Sequence, residues 1–173
     1  MELELIVAVD RHWGIGQKNS LQFHIREDMQ RFKKMTIGQV VVLGRNTLDT
    51  FPKKAPLQGR QNIILTKNPA FAAQDAIILH SIKELGALLR LPAYSEKKVF
   101  VIGGAQVYSQ LLPYCTLAHV THVCARRPAD AKFPRLTRLE NWSRAACPDW
   151  QQTEDGLRYM YVTYQNQNPL AMP

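Results

Sequence analysis

The segments QVVVL at 39–43 and QNIILT at 61–66 are apolar through consecutive positions, with no polar residue alternating through their centres. A strand of that kind needs cover on both faces, which a parallel sheet flanked by helices provides. Ile77-Ile78-Leu79 is a third such run, and LELIVAV at 3–9, KVFVIGG at 98–104 and LAHVTHV at 117–123 read as further strands. Helical patterns fall between them. From Glu27, Met29, Phe32 and Met35 recur at three-residue spacing until Thr36-Ile37-Gly38 closes the segment. Ser81 and Glu84 form an S-x-x-E capping box ahead of ELGALLRL, and AQVYSQLL follows a glycine pair and stops at Pro113. RYMYVTYQ at 158–165 has the composition of a late antiparallel strand. The expected fold is α/β: a central, mostly parallel twisted sheet with an antiparallel C-terminal strand and helices on both faces.

At 173 residues and 46% hydrophobic, the chain suits one domain spanning 1–173. The Pro- and Lys-containing stretch 52–60 reads as a surface loop, the stretch 14–20 as a loop after the first strand, and QNQNPLAMP as a loose tail. The first residues lack a secretory signal and no window reaches the length of a membrane span, so a cytoplasmic protein without a membrane partner is expected. Cys115, Cys124 and Cys147 are widely spaced and read as reduced, mostly buried thiols. The five histidines show no metal-ligand spacing, and no metal is expected.

The formal charge of +8 is dispersed over isolated pairs such as Lys33-Lys34, Lys53-Lys54, Lys97-Lys98 and Arg126-Arg127. Without aromatic interleaving or a basic arm, these favour small anionic ligands over nucleic acid. Two strand ends could receive such a ligand. One is Leu43-Gly44-Arg45-Asn46-Thr47, where glycine permits close backbone approach and arginine can clamp a phosphate. The other is Ile102 through Tyr108, where Gly103-Gly104 opens a helix whose first amides face outward. Neither is a G-x-G-x-x-G fingerprint or a Walker loop. Asp28 is a third candidate: an acid near a helix start, with Phe32 on nearly the same face and Ile25 and Met29 nearby, readable locally either as a helix-terminal charge or as a site carboxylate.

Taken in order from residue 5 to about 164, these pieces resemble the dihydrofolate reductase family. The matching elements are Ile15-Gly16 with Asn19; Glu27-Asp28-Met29 with Phe32 and Thr36; Gly44-Arg45-Asn46-Thr47; Leu57 with Arg60; Val101-Ile102-Gly103-Gly104 with Tyr108; Thr121-His122; and Asp130 with Phe133-Pro134. The resemblance implies NADPH-dependent reduction of dihydrofolate to tetrahydrofolate by hydride transfer, in a monomer whose small-molecule partners include antifolate-type compounds. It implies that Asp28 holds the pterin, supported by Thr121, between walls formed by Ile6, Val7, Met29, Phe32, Leu57 and Ile102, while Arg60 pairs with the α-carboxylate of the glutamate tail. It places Ala8, Ile15, Asn19 and Ser20 beside the nicotinamide. Ile102, Gly103, Gly104, Ala105, Gln106, Val107 and Tyr108 hold the nicotinamide and pyrophosphate, and Gly44, Arg45, Asn46, Thr47, Leu65, Thr66 and Lys67 complete the cofactor site, its adenosine part lying roughly in 38–88.

Four positions depart from the commonest family pattern. Gln22-Phe23 replaces a Pro-Trp pair, so the indole N–H that would order a water near the pterin is missing. Arg26 replaces a proline two residues before the acid, and Gln106 replaces an arginine near the cofactor's 2′-phosphate. Two other readings share much of the pattern: a related pyrimidine reductase of riboflavin synthesis, and a catalytically weak pterin- or nucleotide-binding protein.

Overall fold

The computed structural model describes residues 2–18, 20–145 and 148–173. In chain order the elements are β1 (Leu3–Val9), β2 (Gly14–Gln17), β3 (Ser20–Leu21), α1 (Arg26–Thr36), β4 (Val40–Gly44), α2 (Arg45–Leu48), β5 (Gln61–Leu65), β6 (Ala76–Leu79), α3 (Ile82–Leu89), β7 (Val99–Gly103), α4 (Ala105–Leu111), β8 (Leu117–Val123), β9 (Ala131–Lys132), β10 (Trp142–Arg144), β11 (Gln151–Gln152) and β12 (Arg158–Asn166). The main sheet runs β10-β12-β8-β1-β7-β4-β5-β6, with β11 attached to β12. Its centre from β8 to β6 is parallel; β12 is antiparallel to β8, and β10 and β11 are antiparallel to β12. This is the α/β arrangement that the doubly apolar runs require.

β4 shows why those runs carry no polar alternation. Val40, Val41, Val42 and Leu43 are all 0% exposed. Val40 and Val42 join one core with Leu5, Val7 and Val9 of β1, Leu85 and Leu89 of α3, and Val107, Tyr108 and Leu111 of α4. Val41 and Leu43 join the other with Ile6, Ile64, Phe100 and Leu48, against which Phe32 and Met35 of α1 pack. Successive side chains of a strand point to opposite faces, so each helix layer takes every second residue.

Glu4 interrupts the apolar run of β1 and is buried nonetheless. Its Oε1 lies 3.0 Å from Lys98 Nζ and its Oε2 2.6 Å from His119 Nε2. Burial by itself would raise this carboxyl, but the hydrogen bonds and charges of His119 and Lys98 outweigh it and hold the pKa below the ordinary carboxylate value. α3 begins two residues before Glu84, with Ser81 as its N-cap accepting from the Glu84 amide at 3.1 Å.

Two loop readings are corrected. Part of 14–20 is paired: β2 sits between β3 and β9 in a small antiparallel sheet. The glycine-rich GIGQ lacks the β-branched alternation that marks longer strands. The C-terminal segment is docked rather than loose. The Leu170 amide donates to the Pro113 carbonyl at 2.9 Å, Met172 packs on the core, and Arg90 donates to the Met172 and Pro173 carbonyls. Cys115 is buried and Cys124 half-buried, both as free thiols, while Cys147 lies outside the described residues. No described helix is long and apolar enough to cross a membrane.

Candidate active site

Asp28 lies in the first turn of α1, yet it does not cap the helix: the N-cap is Ile25, without a side-chain bond. Its Oδ1 instead accepts the Thr121 hydroxyl of β8 at 2.6 Å, tying helix to sheet. Oδ2 carries no protein hydrogen bond among the described residues and is not buried away from access. Burial raises the carboxyl pKa above its ordinary value, opposed by the Thr121 hydrogen bond and by the nearby charge of Arg31. Asp28 is thus an acid of the helix's first turn and also a partly desolvated carboxylate with one oxygen fixed and the other open.

The apolar surroundings assemble unevenly. Ile6, Phe32, Leu57 and Ile102 share one core cluster on the α1 side of the sheet. Val7 is the correction: as the neighbour of Ile6 in β1 it points to the opposite face and packs in the other core, so its side chain cannot form a wall here. Met29 is 49% exposed and sits at the rim rather than as enclosed company for Asp28.

Arg60 is braced. Its Nε donates to Thr36 Oγ1 at 3.1 Å and its Nη1 to the Gln58 carbonyl at 2.8 Å, and its Cζ stands 6.0 Å from the centroid of Phe32. Nη2 is left without a protein partner among the described residues. The preceding loop is fastened by Asn62, which accepts from the Leu57 amide and donates to the Leu57 and Arg60 carbonyls. Asn62 is 2% exposed and was missed as a site residue. The signal was present, an amide side chain inside the strand next to a run of apolar residues, because a buried polar group needs partners.

The cofactor candidates meet at the carboxyl ends of adjacent strands. β4 and β7 pair in parallel with Leu43 opposite Gly103, so the Gly44 turn into α2 and the Gly103-Gly104 turn into α4 lie side by side. A Cβ at Gly104 would stand 3.1 Å from Thr47 Oγ1, and one at Gly44 3.0 Å from Val107 Cγ2, so the cradle depends on their absence. Arg45, Asn46, Gln106 and Lys67 are exposed at this edge, with Thr47, Leu65, Thr66 and Ala105 half-buried beside them. His80, another residue missed in sequence, reaches the Thr66 carbonyl through Nδ1 at 2.8 Å. Val107 and Tyr108 also support the fold beneath this edge. Both are buried, and the Tyr108 hydroxyl donates to the Ile6 carbonyl at 2.7 Å. The open backbone and exposed cations fit an extended anion of dinucleotide size.

Ala8 and Ile15 are half-buried and Ser20 exposed along the opposite rim; Asn19 lies outside the described residues. The segment is held by Lys18 N donating to Asp130 Oδ2 at 2.8 Å, by Gln22 Nε2 donating to the Pro128 carbonyl at 3.1 Å, and by Arg127 donating to the Gln22 carbonyl. Phe23 is buried against Ile25, Val123 and Tyr159, with Arg127 over its ring.

The dihydrofolate reductase family model matches residues 2–166. A dihydrofolate reductase of Neisseria meningitidis serogroup B is 35% identical over 164 residues, covering 95% of this chain and 98% of the relative. One from Mycobacterium tuberculosis is 35% identical over 154 residues, covering 87% and 89%. Among solved structures, dihydrofolate reductase from Enterococcus faecalis complexed with NADP(H) and RAB-propyl superposes with a TM-score of 0.83 at 31% identity, covering 95% of this chain and 96% of that one. With the sheet order, the Asp28–Thr121 pair and the twin glycine turns already in place, these matches make the chain a member of the dihydrofolate reductase family.

Proposed function

We propose that this protein uses NADPH to reduce dihydrofolate to tetrahydrofolate. The observation that carries the reading is Asp28: a desolvated carboxylate with Oδ1 fixed by Thr121 and Oδ2 open, beside the apolar surface of Ile6, Phe32, Leu57 and Ile102. A flat heterocycle bearing an amino group and a ring N–H fits that combination, since both donors can address one carboxylate while the ring lies on apolar side chains. Arg60, fixed through Nε and Nη1, offers Nη2 to the carboxylate of the substrate's tail.

When bound, NADPH supplies the hydride. The residues in position to hold it are the Gly44 and Gly103-Gly104 turns, Arg45, Asn46, Thr47, Thr66 and Lys67, with the adenosine part assigned to 38–88. The protein's own task is to hold two flat rings in contact and to favour positive charge at N5 of the pterin. Asp28 serves the second task electrostatically, and a water delivers the proton. Phe23 has no N–H with which to order that water, so its placement falls to Asp28 and the closing segment around 14–24. The proposed working form is a monomer, as the family resemblance implies.

The test is an absorbance assay of NADPH consumption with dihydrofolate. Turnover is expected. Antifolate binding without turnover would favour a quiet binding protein, and turnover only with a ribosylamino-pyrimidine would favour the related reductase of riboflavin synthesis.

A further inference from the structure

Arg31 follows Asp28 by three residues on α1, which places the two side chains as neighbours on the helix surface. Its guanidinium lies over the ring of Tyr161 on β12, with Cζ 4.3 Å from the centroid. It is half-buried in the groove between α1 and β12, where Glu27, Gln30, Lys34 and Met35 also line the space. Among the described residues no direct ion pair joins it to Asp28. A planar cation stacked on an aromatic face keeps its charge in place without needing a carboxylate partner.

We propose that Arg31, held on the Tyr161 ring, is a positioning residue that acts through Asp28, its charge favouring the ionised carboxylate against the effect of burial. The inference deepens the reductase reading and rests on it for its catalytic consequence. The groups facing Asp28 from each element are few: the Thr121 hydroxyl from β8, the Tyr108 phenol from α4, the Tyr161 phenol from β12, and Arg31 with neighbouring Glu27 on α1. Both phenols are pushed up by burial and by the Asp28 charge, so they remain neutral at working pH. Arg31 is thus the cation of this set. Burial favours the protonated carboxyl, and the Arg31 charge opposes it without occupying Oδ2, which stays free for a ligand.

The test follows the Asp28 carboxyl by 13C NMR in the protein without cofactor or substrate, alongside the pH profile of kcat/KM. Arg31→Met should move the titration midpoint upward, with the kinetic profile displaced the same way. Arg31→Lys should restore most of the shift. Tyr161→Leu, which removes the platform, should act like the loss of charge, whereas Tyr161→Phe should leave the midpoint at its parent position. A folded Arg31→Met protein with an unmoved midpoint would overturn the proposal; if that variant does not fold, an unmoved midpoint in Tyr161→Leu overturns it equally. Parental turnover with an unmoved midpoint rejects the role of Arg31 and leaves the reductase reading intact. A moved midpoint in a parent that lacks turnover does the reverse.

Discussion

Replacing Asp28 by asparagine separates what the carboxylate does for the reaction from what it costs the fold. The amide keeps nearly the same shape, and its Oδ1 can still accept the Thr121 hydroxyl now held at 2.6 Å. What disappears is a buried negative charge. In the parent, the folded-state pKa of Asp28 is raised above its ordinary 3.8 by burial. Between those two values the folded chain binds the extra proton, so stability falls as pH rises, and above the folded value the penalty is fully present. Asp28→Asn should therefore stabilise the protein at pH 7.5, and each kcal/mol so gained raises the Tm of a domain of this size by about 3 °C. The gain should shrink as the pH falls through the raised folded-state pKa and vanish below the ordinary 3.8, where the carboxyl is neutral in both the folded and the unfolded chain. Turnover at neutral pH should fall by about two to four orders of magnitude, the usual loss when a group assisting proton transfer is removed, while NADPH affinity stays near that of the parent. Calorimetry across pH and single-turnover kinetics would supply both halves. A variant that melts below the parent at pH 7.5, or turns over within about tenfold of it, would refute the assignment of Asp28 as a desolvated site carboxylate.

Thr121→Val removes the donor to Asp28, so the carboxyl should rise further and the pH profile of kcat/KM should move to higher pH; about 2 kcal/mol of stability should be lost at neutral pH, and an unchanged profile would contradict the pairing. Glu4→Gln should cost about 2 kcal/mol at pH 7, because Lys98 and His119 lose their charged acceptor. Since the folded pKa of Glu4 lies below its ordinary 4.5, the stability it contributes is present above that value and lost as pH falls through the folded one. The gap between parent and Glu4→Gln in denaturant melts should therefore close on acidification. At Gly86 a Cβ would meet the Pro173 carbonyl oxygen at 2.2 Å. Gly86→Ala should destabilise the full chain, yet add about 1 kcal/mol of helix preference in a chain ending at Asn168; effects of the same sign in both would show that the segment does not press on α3.

Most of the frame was legible in the chain because burial on both faces leaves an unbroken apolar signature, as in VVVL of β4. β1 and β8 match LELIVAV and LAHVTHV residue for residue, and the other runs differ at their ends by one residue. The short strands β2, β3, β9, β10 and β11 had no such signature, since pairing over so few positions is decided by neighbours distant in sequence, as when β2 meets β9. Candidate site positions were legible, but side-chain direction was not always carried with them. Val7 and Tyr108 are placed beside the site, yet strand alternation turns one away and a hydrogen bond to Ile6 occupies the other. Asn62 left a trace as an amide within a strand, but its partners Leu57 and Arg60, like the Tyr161 ring under Arg31, are set by the folded geometry.

The pairing of β4 with β7 has one more consequence. Neighbouring strands lie about 4.8 Å apart, and the backbone pairing of β4 with β7, with its register irregularity between Val42 and Leu43, decides that the two glycine turns are the ones that meet. Which backbone amides face a common ligand is thus inherited from topology, while the surrounding side chains, Arg45, Lys67 and the uncharged Gln106, can vary independently. On the function proposed above, grip on the diphosphate and discrimination between phosphorylated and unphosphorylated forms of a dinucleotide become separable properties of this scaffold.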